Sequence, residues 1–357
     1  MSEEGSGVAI ASGERDDETI RAGIERWLCA RDEPVRVAPL TRPAAGLSSD
    51  TCFVDARSEN GTHRELVVRL APVGDGLFAS YNLRAQVEVQ NALAERGIPT
   101  AAPVRFESDP SWLAAPFMVM PRVAGHVLSR SYLRKGWMVE ASPAFRRDLV
   151  LGFVRTLASL HRLVPTGDQV FGDQVIDASA RDAVATAFEG GSEYLDWATG
   201  TGAPLGFMNA ARQWCADHLP SREGPASVLW GDVQLTNAVF AADGTVAALL
   251  DWEMTGFGPP EMDLGWFLAL HEMTIEQHGA ELEGIPERAE IIATYEADLG
   301  HAAQDLQWFE AFALLRSGSI MIRMARILAA QGIDDAWLST HNPTERALQR
   351  VLGRPGT

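Results

Sequence analysis

The sequence predicts an α+β fold in which a small antiparallel sheet is followed by a mainly helical region. Three short β-like runs, separated by turn residues, lie between residues 35 and 70. An Asp-Gly turn flanked by apolar runs, at residues 241–244, predicts a separate β-hairpin. Most of the chain after residue 145 instead carries apolar residues at helical spacing. Separation of strand-rich and helix-rich segments along the chain favours the α+β class.

The first predicted elements surround the sheet. Residues Asp17–Ala30 form a predicted amphipathic helix that packs on the outside of the strands. Residues Leu77–Arg96 form the next predicted helix, which ends at Gly97 with Pro99 just beyond. The predicted strands are Val35–Leu40, Thr51–Ala56, Glu65–Leu70 and Val104–Glu107, followed by a buried run that starts at Pro116 and ends in a linker at Gly125.

The C-terminal region is predicted to be helical apart from the hairpin and the apolar run before it. The predicted helices are Phe145–Arg162, Asp182–Thr199, Gly206–His218, Glu261–His271, Pro286–Leu299, Ala302–Ala330 and Thr344–Leu352. The first of these contains His161, which we interpret as a satisfied core residue rather than a catalyst.

Composition argues against several classes of protein. The net charge of −18 over 357 residues disfavours nucleic acid or an anionic membrane surface as a partner. Lys135 is the only lysine, so the lysine-containing phosphate loop of the P-loop proteins is not possible. The three cysteines have no CxxC spacing, which indicates neither a disulfide framework nor a zinc site. The acidic N-terminus does not resemble a signal peptide and no apolar run has the length of a membrane span, so we expect a cytoplasmic location.

Two acids and one amide predict the catalytic site. Asp232 and Asp251 each follow an apolar run that is typical of a buried strand, and Asn237 lies five residues after Asp232. The hairpin would return Asn237 and Asp251 to the same edge. Carboxylate and amide oxygens suit Mg²⁺, and a further carboxylate that orients a hydroxyl completes the residues that phosphoryl transfer needs. The alternative is an ordinary hairpin with Asp and Asn in its loops.

These residues also carry a family resemblance. The motifs are Gly231-Asp232 followed by Asn237, then Leu250-Asp251-Trp252-Glu253, and the run from Gly258 to Gly265 that contains Asp263. Together they resemble the aminoglycoside phosphotransferase-like branch of the protein-kinase-like fold. The sequence is most similar in character to the bacterial phosphotransferases related to the kinase-like domain of some acyl-CoA dehydrogenase fusions. The resemblance implies a two-lobed fold, with a small antiparallel N-lobe and a mainly helical C-lobe.

The resemblance also implies a role for each residue of the motifs. Asp232 would be the catalytic base, Asn237 and Asp251 would bind Mg²⁺, and Asp263 would brace the catalytic loop. One position departs from the family, because Trp230 occupies a place that usually holds His. Since that His is generally a scaffold residue, we expect altered loop packing rather than lost chemistry.

Nucleotide-binding candidates come from the sheet region. Gly46, Ser48 and Ser49 lie in a small-residue loop whose backbone N–H groups could approach phosphate oxygens, although such loops are often plain turns. Arg69 lies in an apolar strand, where a buried cation would need a partner. The resemblance implies that Arg69 contacts the nucleotide phosphates; the alternative is an edge-strand Arg with its head in water.

Two further nucleotide-binding features follow from the resemblance. The helix after the strands should offer a carboxylate to Arg69. The register leaves three alternatives, which are Glu88, the favoured one, Gln86, and no ion pair. The inter-lobe hinge would include Met120, Arg122 and Val123. Because Pro121 has no N–H, the adenine donor would be Arg122 or Val123.

These observations define a predicted organisation and function. Residues 1–34 would form a lead and helix, residues 35–122 a nucleotide-covering N-lobe, and residues 123–357 a catalytic and acceptor-binding C-lobe. The predicted activity is transfer of the γ-phosphoryl group of ATP, with Mg²⁺, to a hydroxyl of a small molecule. An aminoglycoside is the first acceptor considered, a hydroxyacyl-CoA or other metabolite the second, and an inactive nucleotide-binding scaffold the alternative of another class. The sequence does not determine the oligomeric state.

Overall fold

The chain divides into two compact units, Met1–Val123 and Ala124–Thr357. The computed structural model describes residues 15–43, 49–74, 76–163, 180–200, 206–221, 226–278, 282–333 and 342–353. The first unit contains a five-stranded antiparallel sheet, and the second is mainly helical with two small sheets. The predicted α+β class is therefore confirmed.

The sheet of the first unit has the strand order β1-β2-β3-β5-β4, with antiparallel neighbours throughout. Its strands are β1 (Val35–Val37), β2 (Asp50–Ser58), β3 (His63–Leu70), β4 (Arg105–Glu107) and β5 (Phe117–Pro121). Two helices accompany it, α1 (Asp17–Arg31) and α2 (Leu83–Ala94).

Helix α1 supplies much of the core of the first unit. Ile24, Trp27 and Leu28 recur at helical spacing and are at most 1% exposed. Val68 and Leu70 of β3 lie in the same cluster. Because strand residues alternate between faces, Arg69 between them lies on the opposite face of the sheet.

A buried carboxylate closes the loop between β1 and β2. Asp50, at the first position of β2, has a side chain that is 1% exposed and pairs with both Arg15 and Arg42. The Arg15 distance is 2.9 Å. Thr41 and Phe53 form a backbone bridge beside this pair. The ends of the predicted phosphate-facing loop are thus held together by charge pairing and by main-chain hydrogen bonds.

The second unit contains short strands among long helices. Its strands are β6 (His126–Val127), β7 (Ser227–Leu229), β8 (Ala238–Phe240), β9 (Val246–Leu249) and β10 (Gly256–Gly258). Its helices are α3 (Trp137–Glu140), α4 (Pro143–His161), α5 (Ala180–Thr199), α6 (Gly206–Asp217), α7 (Glu261–His278), α8 (Arg288–Leu299), α9 (Leu306–Ala330) and α10 (Thr344–Leu352), with a 3₁₀ turn at Leu235–Asn237.

The predicted hairpin is present as β8 and β9. Its turn is closed by a hydrogen bond of 2.9 Å from the Ala241 N–H to the Thr245 carbonyl. Gly244 adopts a φ of +86°, a conformation that glycine takes without steric cost. The ladder pairs Ala238 with Leu249, so the residues just outside it, Asn237 and Leu250, lie side by side.

Several predicted boundaries are wrong for identifiable reasons. Helix α2 begins at Leu83 rather than Leu77, because the Asn82 side chain caps it by accepting a hydrogen bond from the Ala85 N–H at 3.0 Å. Helix α7 continues to His278, beyond the predicted end at His271. Strands β6 and β10 and helix α3 were not predicted, since they have at most four residues and carry no periodic signal.

None of the helices in the described ranges combines the length and apolar character that crossing a membrane requires.

Replacing Asp50 with Asn should lower the free energy of unfolding by about 2 kcal/mol, because two partly exposed arginines would lose a buried carboxylate while Arg42 keeps its pairing with Asp17. Urea denaturation of the full chain measures this. Asp55→Asn is the matched control on the same strand: its carboxylate is 40% exposed and pairs with Arg57 and His63. Loss of that exposed pairing should cost less than about 1 kcal/mol, and equal costs for the two variants would contradict the buried clamp.

Candidate functional site

Three predicted side chains meet at one end of the hairpin. Asp232 follows β7, Asn237 ends the 3₁₀ turn before β8, and Asp251 follows β9. The Leu250 N–H donates to the Asn237 carbonyl at 2.8 Å, which places Asp251 beside the start of β8. The structure therefore brings together the three oxygen-bearing residues that the sequence singled out.

A close backbone approach determines the residue that precedes Asp232. Gly231 adopts a φ of +92°, and a Cβ added there would lie 2.1 Å from the backbone oxygen of Met254. The turn after β9 therefore packs directly against the loop of residues 230–237, which we call the 230–237 loop. Only glycine fits this position without displacing the Met254 backbone.

The carboxylate of Asp232 is held by three side-chain donors. Its Oδ1 accepts hydrogen bonds from Gln234 Nε2 at 2.6 Å and from Trp266 Nε1 at 3.1 Å. Its Oδ2 accepts a hydrogen bond from Asn237 Nδ2 at 2.7 Å. These contacts fix the rotation of the carboxylate, so its remaining lone pairs point in defined directions.

The surroundings raise the pKa of Asp232 above the usual range. Desolvation is the main cause, and the negative charge of Asp251 adds to it. The hydrogen bonds from its three donors oppose the shift without cancelling it. A carboxylate with a raised pKa is a better proton acceptor than an ordinary aspartate, provided that it is ionised.

Asn237 is oriented by its own amide nitrogen. Besides the bond to Oδ2, Nδ2 donates to the Asp232 backbone oxygen at 3.1 Å. Because both bonds use the nitrogen, the amide oxygen of Asn237 points away from Asp232. The Asn237 amide oxygen, an atom that can bind a metal ion, is therefore presented beside Asp232.

Asp251 adopts a backbone conformation that is uncommon for a residue other than glycine. Its φ is +60°, in the left-handed region where a side chain costs energy. Such conformations persist where the surrounding structure imposes them, and they are frequent at functional sites. The half-buried carboxylate of Asp251 lies close enough to Asp232 to shift its pKa.

Asp263 ties the 230–237 loop to helix α7. Its Oδ2 accepts a hydrogen bond from the Trp230 N–H at 2.7 Å, and its Oδ1 accepts one from the Gly231 N–H at 3.0 Å. Nε2 of His161 lies 3.1 Å from Oδ2, and Nδ1 of His161 lies 2.6 Å from the Tyr295 hydroxyl. These are the contacts that a brace for this loop requires, and His161 is a satisfied buried residue.

Trp230 makes a contact that the resemblance did not predict. Its indole Nε1 donates to the Leu250 carbonyl at 2.8 Å, and Trp252 Nε1 donates to the Leu249 carbonyl at 3.0 Å. The two indoles lie 6.0 Å apart and are fully buried. Trp230 therefore links the 230–237 loop to the residue immediately before Asp251.

In the first unit, two of the nucleotide-binding candidates contact each other. Arg69 Nε donates to Ser49 Oγ at 2.9 Å, and Ser49 Oγ lies 3.1 Å from Thr51 Oγ1. Arg69 is opposite Thr51 on β2 and Met118 on β5. Arg69 of β3 is thus hydrogen-bonded to Ser49, at the end of the small-residue loop. Gly46 and Ser48 lie outside the described residues.

Helix α2 carries the two residues considered as partners of Arg69, Glu88 and Gln86. Within the described ranges, Glu88 makes no hydrogen bond or ion pair with Arg69. Gln86 is buried, and its amide oxygen has no hydrogen-bond partner there.

The three hinge candidates differ in whether they can supply a backbone N–H to a ligand. Met120 is buried and pairs with Val67 across β3 and β5. The Arg122 N–H donates to the Glu65 carbonyl at 2.9 Å, so it is already used within the sheet. Val123 is therefore the remaining candidate for a backbone donor.

Sequence reasoning missed Gln234 and Trp266, which both bind the Asp232 carboxylate. The signal for Gln234 was a polar residue two positions after the acid, in an otherwise apolar stretch. The signal for Trp266 was its spacing, three residues after Asp263 on a helix, which puts both side chains on one face.

Comparison with known proteins identifies one family over most of the chain. Residues 39–312 match the model of the phosphotransferase enzyme family. Acyl-CoA dehydrogenase family member 11 of Pongo abelii is 26% identical over 287 residues, which cover 78% of this chain and 34% of that protein. The Homo sapiens protein of the same name is 28% identical over 236 residues, covering 64% and 29%. The chain thus spans about a third of the length of these curated relatives.

Solved structures show the same fold. A Ralstonia eutropha protein described as an aminoglycoside phosphotransferase superposes with a TM-score of 0.70 at 22% identity, covering 92% of this chain and 95% of its own. A choline/ethanolamine kinase family protein of Mesorhizobium loti gives a TM-score of 0.59 at 16% identity, covering 94% and 96%. The predicted protein-kinase-like fold is confirmed.

Replacing Asp251 with Asn should lower the pKa of Asp232, because the variant removes a neighbouring negative charge that raises it. Carbon NMR titration of the Asp232 carboxyl in the metal-free protein measures this shift. Asp243→Asn, in the exposed turn of the same hairpin, is the control and should leave the titration unchanged. An unchanged pKa in the Asp251 variant would contradict the electrostatic coupling.

Proposed function

The chain belongs to the phosphotransferase enzyme family, and we propose that this small-molecule phosphotransferase moves the γ-phosphoryl group of ATP, with Mg²⁺, to an acceptor hydroxyl. The observation that carries the proposal is the arrangement of Asp232 with Asn237 and Asp251. One carboxylate is fixed by three donors, and an amide oxygen and a second carboxylate lie beside it. In phosphoryl transfer the protein mainly positions the nucleophile and neutralises charge.

Asp232 is the proposed catalytic base. Its fixed carboxylate orients the acceptor hydroxyl and receives the hydroxyl proton as the new oxygen–phosphorus bond forms, while the bond from the γ-phosphorus to the β,γ-bridging oxygen breaks and ADP leaves. The raised pKa supports this role, because it favours the proton acceptor once the group is ionised. Activity should therefore fall on acidification at a higher pH than it would for an ordinary aspartate.

Asn237 and Asp251 are the proposed Mg²⁺ ligands. The described residues contain no group of three His, Cys, Asp or Glu side chains arranged to hold a metal ion. The donor set still fits Mg²⁺, which takes one or two carboxylates together with water and substrate phosphates. The orientation of Asn237 supports this, since its nitrogen is used by Asp232 and its oxygen is not. When bound, Mg²⁺ would neutralise negative charge on the phosphate oxygens.

The first unit is the proposed nucleotide-covering part of the enzyme, and the second the catalytic and acceptor-binding part. Arg69 would pair with phosphate oxygens, since a guanidinium fork binds phosphate through two donors. Ser49, hydrogen-bonded to Arg69, would hold that fork, and the backbone at Gly46 and Ser48 would add donors. Met120 would line the adenine site, and Val123 would supply a backbone donor.

Two acceptor classes deserve direct tests. The solved neighbour described as an aminoglycoside phosphotransferase supports an aminoglycoside. The name of acyl-CoA dehydrogenase family member 11 refers to acyl-CoA, which supports testing an acyl-CoA that carries a hydroxyl. Phosphate transfer to each class, measured side by side with the purified protein, separates them. An inactive scaffold is the remaining alternative, which Trp230, Arg69 and Gln86 suggest because each departs from the kinase pattern.

Replacing Asp232 with Asn should reduce ATP-dependent transfer by at least about a thousandfold, since the variant cannot accept the hydroxyl proton. ATP consumption with and without acceptor, with Mg²⁺ present, measures this. Asp243→Asn, an exposed acid of the same hairpin, should retain activity within about twofold. Equal turnover by the wild type and the Asp232 variant would refute the catalytic assignment and favour the scaffold.

Replacing Arg69 with Gln should raise the Kd for ATP at least about tenfold, through loss of a charge-assisted contact to phosphate. Calorimetric titration with ATP and Mg²⁺ measures it. Arg64→Gln is the control on the same strand, because Arg64 pairs with Asp32 and Glu33 at the protein surface. If both variants bind ATP like the wild type, Arg69 is not a phosphate ligand.

A further inference from the structure

A half-buried arginine lies next to the proposed catalytic base. The guanidinium carbon of Arg316, on helix α9, is 5.2 Å from the ring centre of Trp266 and 5.7 Å from that of Phe312. The same Trp266 donates its indole N–H to the Asp232 carboxylate. The edge of the Trp266 indole thus contacts Asp232, and the face of the same indole contacts the Arg316 guanidinium.

The helices around Arg316 are closely packed. A Cβ added at Gly191 of α5 would lie 2.9 Å from Phe312 Cε2 and 3.6 Å from Arg316 Cγ. A larger side chain there would push against the aromatic ring and the arginine stem. Glycine therefore lets α5 and α9 approach closely beside the half-buried Arg316.

The charge of Arg316 is not matched by a direct partner. Its guanidinium makes no hydrogen bond or ion pair with any residue in the described ranges. Asp263 and Asp232 attract it electrostatically, but burial outweighs them and lowers its pKa. Both carboxylates already accept hydrogen bonds through each of their oxygens. An arginine remains protonated in proteins, so five N–H donors are available for a ligand.

We propose that Arg316 binds an anionic group, a carboxylate or another oxyanion, that the acceptor carries close to the hydroxyl that is phosphorylated. This inference rests on the proposed function, since it specifies the acceptor of the same site. A planar guanidinium stacked on two rings is preorganised for such a group, because few of its rotamers remain to be lost on binding.

Three acids on helices α5 and α7, which could attract a polycationic acceptor instead, are already paired with arginines. Glu272 is paired with Arg288 and Arg350, and Glu276 with Arg350. Asp196 of α5 pairs with Arg212 at 2.8 Å. An amine-bearing acceptor would have to break these pairs and would meet the unmatched charge of Arg316 beside the base.

Three probes with one carbon skeleton isolate the charge of the acceptor. They are 3-hydroxybutyrate, which is anionic, 1,3-butanediol, which is neutral, and 4-amino-2-butanol, which is cationic. Each carries the same secondary hydroxyl. Binding to the full chain, in the presence of Mg²⁺ and ADP, is measured by saturation-transfer NMR and by thermal shift. We expect 3-hydroxybutyrate to bind at least about tenfold more tightly than the other two.

Matched variants test whether Arg316 is responsible. Arg316→Gln should abolish the preference for the anion, and Arg316→Lys should retain part of it, because the charge survives but the fork does not. Arg323→Gln is the control on the same helix. Its guanidinium is also stacked on an indole, that of Trp197 at 4.3 Å, so it tests the loss of a stacked arginine elsewhere on α9.

The outcomes separate this inference from the proposed function. Wild-type protein that binds none of the probes, or binds all three equally, overturns the role of Arg316. So does an Arg316→Gln variant that keeps the preference, or one that loses thermal stability and binds all probes more weakly by the same factor. If the anion preference fails while Asp232 still supports phosphate transfer, the phosphotransferase assignment stands and only the acceptor inference is lost.

Discussion

The carboxylate of Asp263 accepts the backbone N–H groups of Trp230 and Gly231, and the geometry around Asp232 depends on these two bonds. Gly231 has a positive φ and touches the Met254 backbone, so its amide is not in a regular strand or helix. A buried N–H without an acceptor would be costly. Asp263 supplies that acceptor, and His161 and Tyr295 hold Asp263 in turn.

A second set of contacts connects this loop to Asp251. The indole of Trp230 bonds to the Leu250 carbonyl, and Asn237 bonds to Leu250 through the backbone. Both contacts act on the residue that precedes the unusual φ of Asp251. The Trp230 side chain thus links the 230–237 loop to the end of β9. That this position alters loop packing rather than chemistry stays a prediction.

The site combines two neighbouring acids, Asp232 and Asp251, with one cation, Arg316. Asp251 and burial raise the pKa of Asp232, which suits a group that has to take a proton and later release it. Arg316, on the far side of Trp266, places a cation near two carboxylates that are already hydrogen-bonded. In a chain with a net charge of −18, a half-buried cation at this place is the feature on which the acceptor inference rests.

The sequence by itself determined the features that depend on near neighbours in the chain. The hairpin follows from its Asp-Gly turn, which is why Asp232, Asn237 and Asp251 could be predicted as one cluster. The family motifs then predicted the kinase-like fold and the role of each residue, and the fold is confirmed. The start of α2 was wrong because a side-chain cap, rather than periodicity, decides where that helix begins.

Only the tertiary structure decided which distant residues complete the site. Trp266 reaches Asp232 across 34 positions, and His161 reaches Asp263 across 102. Such contacts depend on how α4, α7 and α9 pack, and no local pattern encodes that packing. The same holds for Arg316, which looks in the sequence like an ordinary arginine of an apolar helix. Its meaning comes from its stacking on two rings near a carboxylate, because the cost of an unmatched charge grows as water is excluded.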